Sequence, residues 1–447
     1  MASPHGLRRQ IGLPTAAALV VGGTVGVGIF LTPAGMAVGL ASPALLFLVW
    51  AFMGATALCG ALSFGELAAR YPEAGGGYVY LREAFGPGVA FLYGWKCLLV
   101  MDPGLTAALA TGFGAYARAA WPVASPPAVA LGAIAVVAAA NVAGVRLAAG
   151  IGHGLALAKI ALLLLLVAWG FASQAGDASR FLPLVERRPG APPLVPALAG
   201  ALVSAFFSFG GWWEMAKLAG EVRDPRRVLP RALAFGVAIV TLLYAAVSSV
   251  FVYLVPLDSV SSPETFASQA GAALFGPGGG RALSGLVALF VLGSLFAFMT
   301  FAPRLYFAMA RDGAAPTFVG ALDPRTGTPV RAIAVQAVLA ALLVVLGTFE
   351  TIVAYFVFVT VAFLGLTVGG LFRLPRPGAG TYRVPGWPVT PLVFLSLLLT
   401  LLALLAAGNP TQAALGTAVV GAGVPVYRFL VAPRRAARPA RQPLEEG

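Results

Sequence analysis

The stretch "GGTVGVGIFLTP", Gly22 to Pro33, lies inside a long apolar run and carries glycine at positions 22, 23, 26 and 28. Glycine costs about 1 kcal/mol relative to alanine in a helix interior. Four of them in seven residues predict that a membrane-length helix comes apart there. A second run, "FFSFGGWW", Phe206 to Trp213, puts Gly210 and Gly211 in the middle of another such helix. Unwound backbone in hydrocarbon leaves N–H and C=O groups without partners, at several kcal/mol each, unless something polar meets them. Matching breaks in two spans therefore point to a polar solute held at mid-membrane. The alternative is that the glycines only let helices approach closely, as small-residue motifs do. That alternative does not require the partner break at Gly210.

Around these breaks the chain reads as membrane throughout. Of 447 residues 59% are hydrophobic and only 10% charged, with mean hydropathy +0.90, whereas a soluble domain carries roughly 25% charged residues. Apolar runs of helical spanning length fall at 15–36, 43–64, 88–118, 127–145, 150–172, 197–219, 231–256, 282–310, 330–348, 351–373, 389–407 and 411–431. The fold class expected is an all-α polytopic membrane protein with twelve spans. The formal charge of +13 raises nucleic acid as a partner, but the basic residues are scattered through short loops and form no stripe. They read instead as topology signals. Arg8, Arg9, Arg70, Arg82, Arg223, Arg226, Arg227 and Arg231 fall on the side of the termini, as do Arg434 and Arg435, while the opposite loops hold only Arg118, Arg180, Arg187, Arg188 and Arg281. The positive-inside rule then puts both termini in the cytosol.

The expected organisation is a cytosolic N-terminus (1–14), a first five-helix repeat (15–172), an extracellular loop (173–196), a second repeat of opposite topology (197–373), spans 11 and 12 (389–431) and a basic tail (432–447). The N-terminal basic flank resembles a signal peptide, but its apolar run continues past Pro33 without a cleavage site, so an uncleaved first span is expected. The tail "RRAARPARQP" is either a segment lying on anionic lipid or a disordered polar end. Cys59 and Cys97 sit in apolar stretches, and neither a disulfide framework nor a metal site nor a cofactor is expected.

An ionisable group at membrane depth is a functional hypothesis. Lys159, in "GIGHGLALAKIALLLLL", stands about ten residues into span 5, hence about 15 Å deep. A snorkelling stem would barely reach the interface from there. Asp102, in "LLVMDPGLTAALA", is at comparable depth in span 3. It has two readings of equal weight. It can pair with Lys159, accept a coupling proton or meet a cationic substrate, or it can open a restarted helix with Pro103 at the first position. Glu214 and Lys217 are three apart and read as a local pair near the cytosolic mouth. The cluster Glu221, Arg223, Asp224, Arg226 and Arg227 is either an inner latch or a solvated loop.

The segments "VGVGIFLTP", "ALSFGELAARYPEAGGGYVYLREAFG", "FFSFGGWW" and "GEVRDPRRVLPRAL", in this order, resemble the amino acid–polyamine–organocation transporters, most of all bacterial relatives of the L-type amino acid transporter branch. The resemblance implies the LeuT-like fold, two inverted five-span repeats plus two helices, and amino acid transport by alternating access. By motif it implies that Gly26, Val27 and Gly28 offer amides to the substrate carboxylate. Carbonyls near Thr24, Phe207 and Gly210 would receive the α-ammonium, and Phe209, Trp212 and Trp213 would bound the side-chain pocket or its gate. The family often has a hydroxyl where Val27 stands and an aliphatic residue where Thr24 stands, so Thr24 is expected to supply the lost hydroxyl. Relatives independent of sodium similarly carry a lysine in span 5, which makes Lys159 the expected stand-in for sodium, tying span 1 to span 8. In span 8, Ala302 and Pro303 stand where a sodium site wants hydroxyls, with Thr300 nearby, and sodium independence is the expectation.

Neutral L-amino acids are the expected cargo, moved without sodium by exchange or with protons. A polyamine carrier anchored on Asp102 is the runner-up. An intramembrane enzyme lacks a zinc-binding His pair, a nucleophile elbow or a P-loop lysine, and no catalytic residue is proposed. A channel wants a ring of polar residues rather than two unlike broken helices. Some relatives are disulfide-bonded to a heavy chain through the loop between spans 3 and 4. That loop here, "ARAAWPVASPP", has no cysteine, so a stand-alone bacterial carrier of the cytoplasmic membrane is expected.

Overall fold

The computed structural model describes residues 7–26, 28–121, 125–182, 184–256, 263–346, 349–378 and 380–433. Its first apolar run is two helices, α1 (Leu13–Thr24) and α2 (Gly28–Leu40), bent 53° from each other. Helix α3 (Pro43–Arg70) starts at Ser42, whose Oγ accepts from Leu45 N at 3.5 Å, with Pro43 at the position where a missing N–H costs nothing. A short helix α4 (Gly77–Phe85) precedes the third span. That span is α5 (Pro87–Lys96) and α6 (Asp102–Ala120), joined by one π turn, Cys97–Met101. Pro103 has no N–H to give the turn before it, and the chain rewinds there with Asp102 N bonded to Cys97 O.

Helices α7 (Pro126–Val142) and α8 (Val145–Ala172) complete the first half. The second half opens with α9 (Leu194–Ser208), which breaks at Phe209–Gly211 and continues as a tight 3₁₀ segment, Trp212–Glu221. Then come α10 (Pro225–Leu254), α11 (Pro263–Phe275), α12 (Gly279–Arg311), α13 (Val330–Leu346), α14 (Phe349–Gly369), α15 (Val389–Gly408) and α16 (Pro410–Val426). Among the described residues eight segments are long and apolar enough to span, the bent α1–α2 pair makes a ninth, and three shorter apolar helices (126–142, 330–346 and 357–372) bring the total to the expected twelve. The twelve-span, all-α architecture is thus the fold. Two helices were not anticipated: α4, an amphipathic segment, and α11, between the seventh and eighth spans.

The breaks sit at the centre. Helix α1 packs against α8, α10 and α12, α2 against α9, and α3 lies along α10. Several glycines are fixed by these approaches. A Cβ on Gly28 would lie 2.6–3.0 Å from Ser208, and one on Gly22 would lie 3.2 Å from the Ala156 Cβ. Close packing and helix breaking are therefore both properties of the same stretch, and the two explanations of its glycines are not exclusive.

Candidate functional site

The two breaks touch. Gly211 has φ +117°, in the left-handed region open to glycine, and a Cβ there would stand 2.6 Å from the Gly23 carbonyl oxygen. Tyr244 on α10 bridges them, its hydroxyl 2.8 Å from Ser208 O and 3.2 Å from Thr24 O. Thr32 and Ser208 join α2 to α9 through hydroxyls 2.6 Å apart.

Between the breaks lies a cavity of about 780 Å³ of empty space, its open mouth included. Gly23, Thr24, Gly26 and Gly28 line it from span 1, and Phe207, Ser208, Gly210, Gly211 and Trp213 from span 6. Neither Gly26 nor Gly28 donates its N–H to another described residue, as the first turn of a helix leaves its donors free. Val27 lies outside the described residues. Phe207 O accepts from Gly210 N at 3.1 Å, and Phe207 is 43% exposed. Thr24 Oγ1 donates back to Val20 O at 2.8 Å, so in this arrangement its free capacity is as an acceptor.

The aromatic wall differs from expectation. Trp213 lines the cavity and stacks on Phe206. Phe209 and Trp212 do not line it. Phe209 turns to Trp50 and Tyr244, and Trp212 packs edge-on against Phe64 and Phe394. The left-handed turn at Gly211 sets this rotation.

Lys159 is wholly buried, and its amine meets three oxygens: Gly22 O at 2.8 Å, Val25 O at 2.6 Å and Ser294 Oγ at 2.9 Å. An ammonium has three N–H donors, and each has its acceptor. The carbonyls are those freed where α1 ends. The α12 partner is Ser294, eight residues before Ala302. Thr300 is engaged elsewhere, with Asn141 Oδ1 at 2.9 Å and Phe296 O at 2.9 Å. Gly293 makes room for the lysine, since a Cβ there would lie 2.6 Å from Lys159 Cε. Ser294, Gly293 and Tyr244 are functional candidates that sequence reading missed.

Asp102 pairs with neither Lys159 nor the cavity. Its carboxylate is buried 3.1 Å from Lys217 Nζ, which also lies 2.5 Å from Glu214 Oε2. The Glu214–Lys217 pair is therefore not a surface feature at a mouth but part of a buried cluster linking α6 to the 3₁₀ segment. In this arrangement the Asp102 carboxylate is paired with Lys217 and does not line the cavity. The cluster at residues 221–227 also divides. Glu221 is fully buried in a two-pronged pair with Arg304, at 2.9 and 3.1 Å. Arg223, Asp224, Arg226 and Arg227 are exposed. The N-terminal segment adds to this seal: Gln10 N and Ile11 N both donate to Glu221 O, and Arg223 N to Ile11 O. At its other end the cavity adjoins a groove through Phe206, Phe207 and Val357, lined further on by Leu405, Asn409 and Gln412.

Two interrupted spans that meet at one cavity, with buried ion pairs toward one end, are the arrangement expected of a carrier. The chain belongs to the amino acid permease family, which it matches across residues 11–425, within the amino acid–polyamine–organocation superfamily. It is similar to the b(0,+)-type amino acid transporter 1 of Oryctolagus cuniculus, at 30% identity over 82% of this chain and 76% of the relative. It is also similar to the Asc-type amino acid transporter 1 of Mus musculus, at 28% over 94% and 81%. The large neutral amino acids transporter small subunit 2 of Homo sapiens is 28% identical over 94% and 80%.

Proposed function

We propose that the chain moves neutral L-amino acids across a bacterial cytoplasmic membrane by alternating access, without sodium and with both termini cytosolic. The observation that carries this reading is the Lys159 amine on Gly22 O, Val25 O and Ser294 Oγ. A fixed cation there does what a bound metal cation would do for the carbonyls freed by the break, so none need be recruited from solution. The bare amides of Gly26 and Gly28 at the start of α2 suit a carboxylate, and the carbonyls of Thr24 and Phe207 suit an α-ammonium. The mostly apolar cavity favours a neutral side chain, as does the large neutral amino acids relative by its name. On the arginine distribution, the end sealed by Arg304–Glu221 is cytosolic and the cavity faces outward. No cysteine of the 3–4 loop is present for a covalent heavy chain.

The test is uptake of a labelled amino acid panel into sodium-free proteoliposomes, with and without unlabelled amino acid inside and with and without an inward proton gradient. Uptake that requires internal amino acid identifies an exchanger. Uptake driven into empty vesicles by the proton gradient identifies a symporter. Uptake only when sodium is added, or no amino acid uptake in any arm, overturns the reading.

A further inference from the structure

One buried amine belongs neither to the Lys159 tripod nor to the sealing ion pairs. Lys96, at the end of α5, is 2% exposed. Its Nζ donates to Met101 Sδ at 3.0 Å and to Thr360 Oγ1 at 3.1 Å, and its remaining side faces the rings of Tyr93 and Phe363 at 5.1 and 5.8 Å. Among the described residues no carboxylate lies within 4.0 Å of it. Asp102 and Glu214 form their ion pairs with Lys217 instead. A thioether is a weak acceptor, so this amine has one good oxygen partner where buried polar groups ordinarily complete their bonds. Both partners, Met101 and Thr360, line the cavity beside the apolar Leu105, Leu109 and Phe298.

We propose that Lys96 is a specificity determinant, selecting substrates whose side chain ends in a hydrogen-bond acceptor oxygen and rejecting those that end in a cation. This rests on the reading of the cavity as an amino acid site. Met101 is unbranched and adaptable, and the substrate oxygen takes the place of its sulfur on Nζ while Thr360 holds the amine in register. A carboxamide gains an acceptor role that leucine cannot fill. A guanidinium or ammonium brings only donors to a group that already lacks acceptors.

The experiment compares glutamine, leucine and arginine as competitors and as labelled substrates in proteoliposomes of the wild-type chain, Lys96→Met and Met101→Leu. In the wild type, glutamine is expected to compete about tenfold better than leucine, the worth of one bond to a charged donor, and arginine not to compete. In Lys96→Met the glutamine-to-leucine ratio is expected to fall towards one and arginine to begin to compete. An unchanged ratio with arginine still excluded overturns the proposal, as does a wild type that prefers leucine. Should Lys96→Met not reach the membrane folded, Met101→Leu decides. It keeps the amine and removes the sulfur, so the glutamine preference must rise, and an unchanged preference overturns the proposal. Absence of all amino acid uptake in the wild type instead defeats the functional reading itself, whereas leucine uptake without glutamine preference defeats the Lys96 assignment alone.

Discussion

Replacing Lys159 by methionine keeps the stem that fills the space beside Gly293 and removes only the amine, so its effect isolates the tripod. Two of the three bonds lost run from the amine to carbonyls, at 2.8 and 2.6 Å. Bonds with a charged partner are worth about 1.5–3 kcal/mol each, so the gross loss is about 3–6 kcal/mol. Ser294 returns part of it. Its Oγ already stands 3.3 Å from Gly22 O and 3.2 Å from Val25 O, but one hydroxyl proton serves one carbonyl, recovering about 1 kcal/mol. The net cost to the broken conformation is about 2–5 kcal/mol, or roughly 30-fold to a few thousand-fold in the population competent to bind. The assay is binding and uptake by purified protein in sodium-free proteoliposomes, with monodispersity in detergent as the control for folding. The expected result is loss of substrate affinity by at least the lower figure in a protein that remains monodisperse. Wild-type affinity and rate in Lys159→Met would refute the claim that this amine holds the break open.

Gly293→Ala is expected to reproduce that phenotype without touching the lysine, because the new Cβ lies 2.6 Å from Lys159 Cε and 3.1 Å from Nζ; normal uptake would show that the lysine has room to shift. Gly28→Ala forces α2 from α9 at Ser208 and is expected to lower uptake at least about tenfold, whereas Gly35→Ala, with nothing within 4 Å, should leave uptake unchanged. Arg304→Met leaves Glu221 buried and unpaired, costing about 3–5 kcal/mol of the sealed state. A cysteine placed at Leu7 in a chain without Cys59 and Cys97 should then react at least tenfold faster with a hydrophilic maleimide, and an unchanged rate would mean the seal does not depend on the pair. Thr24→Val removes one hydroxyl acceptor at the cavity, and substrate affinity should fall by about threefold to tenfold; unchanged binding would remove Thr24 from the site.

What the sequence made legible was local. Hydropathy marks each span on its own, glycine marks a break by its own propensity, and a lysine within an apolar run announces itself by its cost. Lys159 needed no knowledge of neighbours to be singled out. Its α12 partner did need it. Ser294 is an unremarked serine in "VLGSLFAF", and only the depth at which α1 meets α12 distinguishes it from Thr300, which turns to Asn141 instead. The aromatic wall failed for a related reason. Trp212 and Trp213 are adjacent, and which of them faces the cavity depends on the rotation imposed by Gly211 at φ +117°, a backbone state the letters do not fix. Asp102 could not be assigned a partner because Lys217 is 115 residues away, with no pattern to join them.

The ten residues from Trp212 to Glu221 tie the site to the seal. Trp213 at their start is cavity wall, Lys217 in their middle holds Asp102 of α6, and Glu221 at their end holds Arg304 of α12 and two amides of the N-terminal segment. Gly211, just before them, is in contact with the Gly23 carbonyl of the other break. A 3₁₀ segment is tightly wound and makes poorer hydrogen bonds than an α-helix, so this connection between site and seal is one that deforms more easily than the helices around it. A displacement of this segment would therefore disturb the wall, the Lys217–Asp102 pair and the Glu221–Arg304 pair. Each buried pair that separates must be hydrated as it does so, since an unpaired buried charge costs several kcal/mol. The water that enters to meet Lys217 and Glu221 is then the water that reaches the cavity, and access at the sealed end begins where the pairs end.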